Sequence, residues 1–345
     1  MKTSKPLILL TGGAGYIGAH TAVELFAAGY EVLIVDNFSN SDPSVLEGIE
    51  KTCGRRPVLE AVDCADATAM AGVFAKYPDI AAVIHFAAAK AVGESVEQPL
   101  YYYRNNIGSL LCLLEEMKAR SIPHLVFSSS CTVYGAAEVL PVTEDTPVQP
   151  AVSPYGKTKQ ICEGIIEDVT ASTSIQAIML RYFNPIGAHP LAWIGEEPRG
   201  VPQNLVPFIV QTASGRRPYL QVFGGDYPTP DGSCIRDYIY VVDLAKAHVA
   251  AVKRLLEGRA AEACEVFNLG TGRGYSVLEL IAAFEQTTGI RISYKIIARR
   301  PGDIAQIWAQ PLRAQRELHW EASTPISEAL ASAWNWEQSR SYKIR

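Results

Sequence analysis

The sequence of 345 residues contains no run of apolar residues that approaches the length of a membrane span. It also contains no run rich in lysine or arginine, and its formal net charge is −5. Because nucleic acids and anionic membranes attract basic surfaces, we predict that neither is a partner. The hydrophobic content of 48% is sufficient for a large core, and the length favours two domains or one large domain with an attached lobe.

Patterns for metal binding and disulfide formation are also missing. The seven cysteines are scattered, and no two of them have the spacing of a zinc site or of a redox motif. The six histidines show no paired spacing either, so we predict that the protein binds no metal. Since the number of cysteines is odd and no signal-peptide pattern is present, we interpret them as reduced thiols of a cytoplasmic protein.

A glycine-rich turn lies between two apolar segments near the beginning of the chain. Residues 7–10 predict a buried strand, residues 11–18 have the sequence TGGAGYIG, and residues 19–28 predict a helix that ends at Gly29. A second predicted strand, residues 31–35, ends at Asp36. This order of strand, glycine turn, helix, strand and acid predicts a dinucleotide-binding unit.

Each part of this unit suits one part of a dinucleotide. Glycines let the backbone approach a pyrophosphate, and the start of the helix presents amide hydrogens and the positive end of a dipole to that anion. Asp36 is placed to accept hydrogen bonds from the adenosine ribose and to repel a 2′-phosphate, which favours NAD over NADP. The glycines fit two spacings at once, because either Gly12 or Gly13 combines with Gly15 and Gly18.

Apolar strands and helices continue to alternate after this unit. We predict strands at residues 58–62, 82–86, 124–127 and 266–269, and helices at residues 106–120, 154–170, 276–286 and 326–336. Ligands of such folds bind beyond the carboxyl ends of the strands, where a serine cluster, residues 128–130, follows the strand 124–127. Asp63 follows the predicted strand 58–62, where it either contacts an adenine edge or is an ordinary polar residue of a loop.

Tyr155 and Lys159 have the spacing that places two side chains on one helical face. A free tyrosine has a pKa near ~10, so a tyrosine that acts as a base at neutral pH needs ~4 kcal/mol of help. Lys159 and a positive nicotinamide ring together are able to supply that help, and Ser130 is placed to hold a substrate hydroxyl. Such a pair is usually a solvated helix pair, but after a nucleotide fingerprint and a strand-end serine it predicts a catalytic site.

The glycine spacing, Ser130, Tyr155 and Lys159 resemble the extended short-chain dehydrogenase/reductase family, and longer motifs resemble the UDP-glucose 4-epimerases within it. Those motifs are residues 90–95 (KAVGES), 128–135 (SSSCTVYG), 181–190 (RYFNPIGAHP), 195–198 (GEEP), 204–207 (NLVP), 223–229 (FGGDYPT), 236–238 (RDY) and 299–303 (RRPGD). The resemblance covers nearly the whole chain. It implies an α/β fold, with a doubly wound parallel Rossmann sheet and a smaller α/β substrate-binding lobe.

The resemblance also implies a bound NAD and a UDP-sugar substrate. The implied cofactor-binding residues are Gly12, Gly15, Tyr16, Ile17, Gly18, Asp36, Asn37, Asn40, Ser41, Asp63, Cys64, Phe86, Ala87, Ala88, Lys90, Asn105, Ser130, Tyr155, Lys159 and Phe183. The implied substrate-binding residues are Ser130, Tyr155, Tyr182, Asn184, Asn204, Leu220, Gln221, Val222, Phe223, Arg236, Tyr238, Arg300, Asp303 and Ile307. The two arginines either clamp the diphosphate or form surface ion pairs, and Phe223 either stacks on uracil or packs in the core.

We expect residues 1–183 to form the NAD-binding Rossmann domain, residues 184–338 the UDP-sugar-binding lobe, and residues 339–345 a tail. A segment of the lobe, about 236–270, is expected to return to the first domain. In the resembled family, the helices that correspond to 106–120 and 154–170 pair into a four-helix contact, so we predict a homodimer.

The implied activity is the interconversion of UDP-glucose and UDP-galactose through a 4-keto sugar. Tyr155 takes the proton of the 4-hydroxyl, Ser130 orients that hydroxyl, and Lys159 lowers the pKa of the phenol and holds the nicotinamide ribose. The hydride of carbon 4 passes to NAD and returns to the other face of the sugar, which turns about its diphosphate link.

Three alternatives remain open. The first is an epimerase that also accepts UDP-N-acetylhexosamines, because Ile307 lies in volume between the tyrosine and the cysteine or serine that the family places at this wall. The second is a nucleotide-sugar 4,6-dehydratase, although Cys131 and Thr132 stand where that family has an Asp-Glu pair. The third is a non-catalytic dinucleotide-sensing protein, which has no need of the tyrosine, lysine and serine at these spacings.

Overall fold

A computed structural model describes residues 5–300 and 302–341. The strands are β1 (Leu7–Thr11), β2 (Glu31–Val35), β3 (Val58–Glu60), β4 (Ile80–His85), β5 (His124–Ser130), β6 (Gln176–Tyr182), β7 (Asn184–Ile186), β8 (Leu220–Phe223), β9 (Ile235–Tyr240), β10 (Cys264–Leu269), β11 (Gly274–Ser276), β12 (Tyr294–Ile297) and β13 (Gln306–Ile307). The helices are α1 (Tyr16–Ala27), α2 (Val45–Cys53), α3 (Ala67–Lys76), α4 (Val92–Glu97), α5 (Pro99–Ala119), α6 (Pro154–Ser172), α7 (Leu205–Ala213), α8 (Val241–Leu256), α9 (Val277–Thr288), α10 (Leu312–Glu317) and α11 (Ile326–Ser341).

Seven parallel strands form the central sheet, in the order β10-β6-β5-β4-β1-β2-β3. Side chains alternate along each strand between two buried clusters, so that Ile8 faces the helices α1 and α8 while Leu9 faces α3, α5 and α6. Helices therefore cover both faces, which confirms the doubly wound Rossmann fold. The strand order reverses between β1 and β4, and ligands of such sheets bind at the carboxyl edge of that reversal.

A smaller sheet, β11-β9-β13, with β7 beside β9, and a two-stranded sheet, β12-β8, lie in the second half of the chain. Their core contains side chains of α7, α9 and α11. The helix α8 packs on α1, and β10 joins the large sheet beside β6. The strand β9 instead belongs to the smaller sheet, so we propose that the segment returning to the first domain begins near residue 241, not near residue 236.

Several predicted element boundaries were wrong. The helix predicted at residues 106–120 begins earlier, at Pro99, because proline suits the first helical position. The predicted start was too late because the tyrosines that follow Pro99 are weaker helix formers. The strand β3 ends at Glu60, not at residue 62, and β4 begins at Ile80 and ends at His85. The helix α11 continues to Ser341 through the first part of the predicted tail.

Two helix starts were predicted correctly, that of α6 at residue 154 and that of α11 at residue 326. The Ser153 side chain accepts a hydrogen bond from the Gly156 amide at 3.1 Å, with Pro154 at the first helical position of α6. Residues 1–4 of the predicted first domain, residue 301 of the RRPGD motif and residues 342–345 of the predicted tail lie outside the described residues. Among the described helices, none combines the length and apolar character that a membrane span requires.

Candidate active site

The glycine turn between β1 and α1 is packed too closely for larger residues. Gly12 has a φ of +67°, and a Cβ atom there would lie 2.8 Å from the Ala87 amide nitrogen. A Cβ on Gly18 would lie 2.6 Å from the Gly12 carbonyl oxygen. The first turn of α1 has neither a capping side chain nor an acidic residue. Its amide hydrogens and dipole are therefore suited to a pyrophosphate, and the turn fits an NAD molecule.

Asp36 is fixed at the carboxyl end of β2. One carboxylate oxygen accepts a hydrogen bond from the Ala14 amide at 3.0 Å, and the other accepts from the Phe38 amide and the Ser41 hydroxyl, both at 2.9 Å. The side chain is buried beside the glycine turn. A carboxylate held in this way is suited to accept hydrogen bonds from a ribose.

Other predicted adenosine-side residues lie near this carboxylate. Asn37 donates a hydrogen bond to Asp63 at 3.2 Å. Arg199, from the second half of the chain, donates to the carbonyl oxygens of Ser39, at 3.0 Å, and Ser41. Arg199 was not among the predicted site residues, because nothing in its own segment indicates a contact with a loop 160 residues earlier. Asn40 lies between Ser39 and Ser41 in this loop, and Cys64 is buried.

Two predicted cofactor residues contact the protein core through their side chains. The Tyr16 hydroxyl donates to the Gly187 carbonyl oxygen at 2.6 Å, and Ile17 packs on the core between the sheet and α1. We therefore infer that main-chain atoms of these residues face the pyrophosphate. Phe86 packs on the His248 ring with centroids 4.8 Å apart, and Ala88 follows in the loop after β4.

The loop after β4 is held by Asn106 and not by Asn105. Asn106 accepts a hydrogen bond from the Ala89 amide at 2.8 Å and donates to the Ala89 carbonyl oxygen at 3.0 Å. It also donates to the Thr158 hydroxyl of α6 at 3.1 Å. Asn105 donates to Asn106 at 2.9 Å. Asn105 was predicted as a cofactor contact and stays a prediction, while Asn106, which holds this loop, was not among the predicted site residues.

Lys90 and Asn204, predicted for different ligands, meet at one carboxylate. Lys90 Nζ lies 3.4 Å from a Glu196 oxygen, and Asn204 donates a hydrogen bond to the same oxygen at 2.5 Å. Glu196 belongs to the GEEP motif but was not among the predicted site residues. The contact brings the loop after β4 next to the start of α7.

Ser130, Tyr155 and Lys159 come together where β5 ends against the first turns of α6. Lys159 is buried, donates a hydrogen bond to the Ser128 carbonyl oxygen at 2.6 Å, and has its Nζ 6.0 Å from the centre of the Tyr155 ring. The Ser130 hydroxyl accepts from the Thr132 amide at 3.2 Å. The ammonium therefore lies beneath the phenol, as the helical spacing predicted, while its direct hydrogen-bond partner is the strand.

The surroundings of the two ionisable groups push their pKa values in opposite directions. Burial raises the pKa of Tyr155, Tyr182 raises it further, and hydrogen bonding with Ser130 lowers it. Burial lowers the pKa of Lys159 to about 8. The chain's own groups thus favour a neutral phenol, so that a phenolate at neutral pH also needs the positive charge of an oxidised nicotinamide.

Asp303 joins the two predicted diphosphate-binding arginines. Arg300 donates to its carboxylate at 3.0 and 3.2 Å, and Arg236 lies 3.6 Å from it. Arg236 also donates to the Ile304 carbonyl oxygen at 2.8 Å. The Arg300 guanidinium lies 5.4 Å from the centre of the Phe223 ring. The four predicted residues therefore form one group, with guanidinium, carboxylate and aromatic surfaces side by side.

The strand β8 divides its four predicted residues between two faces. Leu220 and Val222 are buried in the core of the second half, whereas Gln221 and Phe223 are partly exposed. Only the last two have side chains available to a ligand. That all four contact the substrate stays a prediction, and alternation along the strand leaves Leu220 and Val222 only main-chain atoms for such a contact.

Ile307 is buried in a cluster with Cys131 and Phe183. Cys131 directly follows Ser130, so the predicted wall residue lies beside the end of β5. Of the remaining predicted residues, Tyr182 hydrogen bonds to the Ser128 hydroxyl, and Asn184 pairs with the buried Tyr238 between β7 and β9. Burial raises the pKa of Tyr182 to about 12.

The sequence analysis also missed Asp237, which is fully buried. Its carboxylate accepts hydrogen bonds from the Thr271 amide at 2.9 Å, the Thr271 hydroxyl at 2.7 Å and the Ala309 amide at 3.2 Å. It therefore ties β9, beside Arg236, to the loop after β10. The available signal was its place between Arg236 and Tyr238 in the RDY motif. Within residues 5–300 and 302–341, no group of three His, Cys, Asp or Glu side chains is arranged to hold a metal ion.

A model of the NAD dependent epimerase/dehydratase family matches residues 8–270. The chain therefore belongs to this family of NAD-dependent enzymes. Relatives that are nearly half identical over almost the whole chain are named UDP-glucose 4-epimerases, which confirms the resemblance seen in the sequence. The Bacillus subtilis (strain 168) enzyme is 49% identical over 96% of this chain and 97% of its own length, and the Homo sapiens enzyme is 48% identical over 96% of each.

The fold comparison agrees with the sequence comparison. The crystal structure of UDP-glucose 4-epimerase from Bifidobacterium longum in complex with NAD+ and UDP matches with a TM-score of 0.94 and 46% identity. The match covers 97% of this chain and 99% of that chain.

Proposed function

We propose that this protein interconverts UDP-glucose and UDP-galactose with a bound NAD. The observation that carries the proposal is the meeting of Ser130, Tyr155 and Lys159 at the carboxyl end of β5, in the same parallel sheet whose strand β1 leads into the glycine turn. The relatives at 48–49% identity have this activity in their names. A bound NAD would supply the hydride acceptor and donor for carbon 4 of the sugar, so the net reaction would be neither an oxidation nor a reduction.

The residues of the chain have separate roles in this proposal. Tyr155 takes the proton of the 4-hydroxyl and gives it back after the 4-keto sugar has turned, and Ser130 orients that hydroxyl. Lys159 stabilises the phenolate. The glycine turn and Asp36 hold the dinucleotide. Arg236 and Arg300 are suited to the diphosphate, since a guanidinium matches phosphate oxygens in a two-pronged fashion.

The test is to incubate the purified protein with UDP-galactose, without added NAD, and to follow UDP-glucose formation by NMR. Because the reaction regenerates NAD within each cycle, we expect turnover without added cofactor and release of about one NAD per chain on denaturation. Recovery of NADP, or turnover that strictly requires added NAD, would contradict the proposal.

A 4,6-dehydratase is the less favoured alternative. Elimination needs an acid and a base beside the reacting carbons, and Cys131 and Thr132 follow Ser130. Cys131 lies in the apolar cluster with Ile307, and burial raises its pKa to about 12. Neither side chain is a carboxylate, so the site favours epimerisation over elimination. A protein that only senses the cofactor would have no turnover of UDP-galactose.

We further propose that Ile307 gives a preference for the sugars without an acetamido group. An acetamido group is larger than a hydroxyl and needs hydrogen-bond partners, while the wall of Ile307, Cys131 and Phe183 is apolar. Such a misfit is worth ~1–3 kcal/mol. We expect kcat/KM for UDP-galactose to exceed that for UDP-N-acetylgalactosamine about tenfold or more, and Ile307→Ser to reduce the ratio.

Ile307→Leu is the matched control, because it conserves the volume and the apolar character of the wall. It should leave the preference near that of the wild type. Equal efficiency of the wild type on both sugars would refute the proposal, and so would an unaltered ratio in Ile307→Ser.

We also propose a homodimer built on α5 and α6. Its support is the exposed apolar surface of α5, where Leu100, Tyr101 and Leu111 are 77%, 45% and 44% exposed. Light scattering at micromolar concentration should give twice the chain mass of 37.5 kDa, and a monomer would refute the idea. A cytoplasmic location is proposed on the separate ground that the seven cysteines are all free thiols.

A further inference from the structure

Three side chains of α6, four residues apart, face the end of β5. After Tyr155 and Lys159, the next residue on this face is Glu163. Lys159 donates to the Ser128 carbonyl oxygen at 2.6 Å, and Glu163 accepts a hydrogen bond from the Ser129 hydroxyl at 2.5 Å. The helix that carries the proposed base is thus tied to the strand that carries Ser130 at two consecutive strand residues.

Glu163 also forms a buried ion pair with Arg181 of β6. The two hydrogen bonds from Arg181 to its carboxylate measure 2.9 and 2.7 Å, and both side chains are 7% exposed. Arg181 donates in addition to the Tyr134 hydroxyl at 3.1 Å, and that hydroxyl donates to Asn268 of β10 at 2.7 Å. Every member of this chain of hydrogen bonds is buried, so the position of Glu163 is fixed from three strands.

Glu163 is the carboxylate of this face, next to two buried cations, Lys159 and Arg181. Burial lowers the pKa of Lys159 to about 8, and coulombic interactions with Cys162 and with Glu163 oppose that effect. The other ionisable groups that influence these side chains are Tyr155 and Cys162 on α6, His85 on β4, Tyr134 after β5 and Cys264 on β10.

We propose that Glu163 is a positioning residue of the active site. Through Ser129 it fixes the end of β5 in register with Tyr155 and Lys159, and its charge compensates the buried ammonium. The inference rests on the proposed function for its kinetic consequences. Ser129, Glu163 and Arg181 are buried and bonded to one another behind the proposed base.

Two variants separate the two parts of the proposal. Glu163→Gln removes the charge and keeps a hydrogen-bond acceptor for Ser129. Ser129→Ala removes the tie to β5 and keeps the ion pair with Arg181. The matched control is Glu265→Gln, since Glu265 forms a similarly buried two-pronged pair with Arg254, at 2.7 and 2.8 Å, outside the site.

We expect Glu163→Gln to lower the titration midpoint of the Lys159 ammonium by about 0.5–1 pH unit, because a lost negative neighbour makes proton release easier. The midpoint is measured by NMR on protein with ¹³C-labelled lysine, with Lys159→Met as the assignment. The alkaline limb of the kcat profile for UDP-galactose should move in the same direction, with KM changed less than about twofold. Ser129→Ala should reduce kcat about threefold to tenfold at all pH values and leave the Lys159 midpoint in place.

A Lys159 midpoint that is unchanged in Glu163→Gln, or lowered equally by Glu265→Gln, would overturn the proposal. So would a Ser129→Ala variant with wild-type kcat. If Glu163→Gln does not fold because Arg181 is left unpaired, the variant Glu163→Gln/Arg181→Met is compared with Arg181→Met alone, and the midpoint must be lower in the double variant. A wild-type protein inactive on UDP-galactose would refute the proposed function, while the NMR titration would still decide the role of Glu163.

Discussion

Replacement of Tyr155 by phenylalanine is expected to reduce kcat by about 10²-fold or more. The phenol is the group of the site that is placed to take and return the proton of the 4-hydroxyl, and it interacts with Ser130. Phenylalanine keeps the ring above Lys159, so the packing at the start of α6 is retained. The UDP-sugar and the cofactor should therefore still bind, because the diphosphate and dinucleotide contacts lie elsewhere.

The measurement is kcat with UDP-galactose, together with the affinity for UDP by calorimetry. Tyr240→Phe is the control, because it also removes a buried hydroxyl, one that donates to the Ala188 carbonyl oxygen at 2.8 Å in the second half of the chain. That variant is expected to lose stability and keep its turnover. If Tyr155→Phe kept a high kcat, another group would move the proton. If the wild type were as slow as the variant, the non-catalytic alternative would be favoured.

The local parts of the site were predictable from the sequence. The glycine turn, the buried strand before it and Asp36 after it depend on neighbours within about thirty residues, and hydrophobic alternation carries that information. The start of α6 at residue 154 and the pairing of Tyr155 with Lys159 follow from helical geometry alone. None of these features depends on a contact between distant segments of the chain.

Contacts between distant segments were not predictable in the same way. Lys159 donates to Ser128 because β5 lies beside α6 in the folded sheet, and no spacing along the chain specifies which atom an ammonium reaches. The shared carboxylate of Asp303 likewise depends on β9 and the loop before β13 lying together. The two arginines were predicted individually, but their common partner required the tertiary structure.

Lys159→Met is expected to inactivate the enzyme without destabilising it at neutral pH. The variant loses the positive charge beneath the phenol, so the pKa of Tyr155, already raised by burial, should rise further. Activity that requires the phenolate increases with pH, and this limb of the kcat profile should therefore move to higher pH. At pH 7 the expected loss in kcat is about 10²-fold.

The stability of the same variant should depend on pH in a specific direction. Burial lowers the pKa of Lys159 from 10.5 to about 8, so below pH 8 the folded protein holds an ammonium that water would solvate better. That shift corresponds to about 3 kcal/mol of destabilisation. Methionine removes this destabilisation. It also leaves the buried Ser128 carbonyl oxygen without a hydrogen-bond donor, which costs about 1–3 kcal/mol. The variant should thus be as stable as the wild type at pH 7, or more stable.

Between pH 8 and 10.5, Lys159 is still protonated in the unfolded wild type but has released its proton in the folded protein. The free energy of unfolding of the wild type should therefore rise with pH relative to that of Lys159→Met. Denaturant unfolding of both proteins at a fixed excess of NAD measures the difference. Lys157→Met is the control, because Lys157 is exposed on the same helix, and its difference from the wild type should stay constant over this range. A constant difference for Lys159→Met as well would mean that the ammonium of Lys159 is not buried at a cost, and that the phenol gains its help from the cofactor alone.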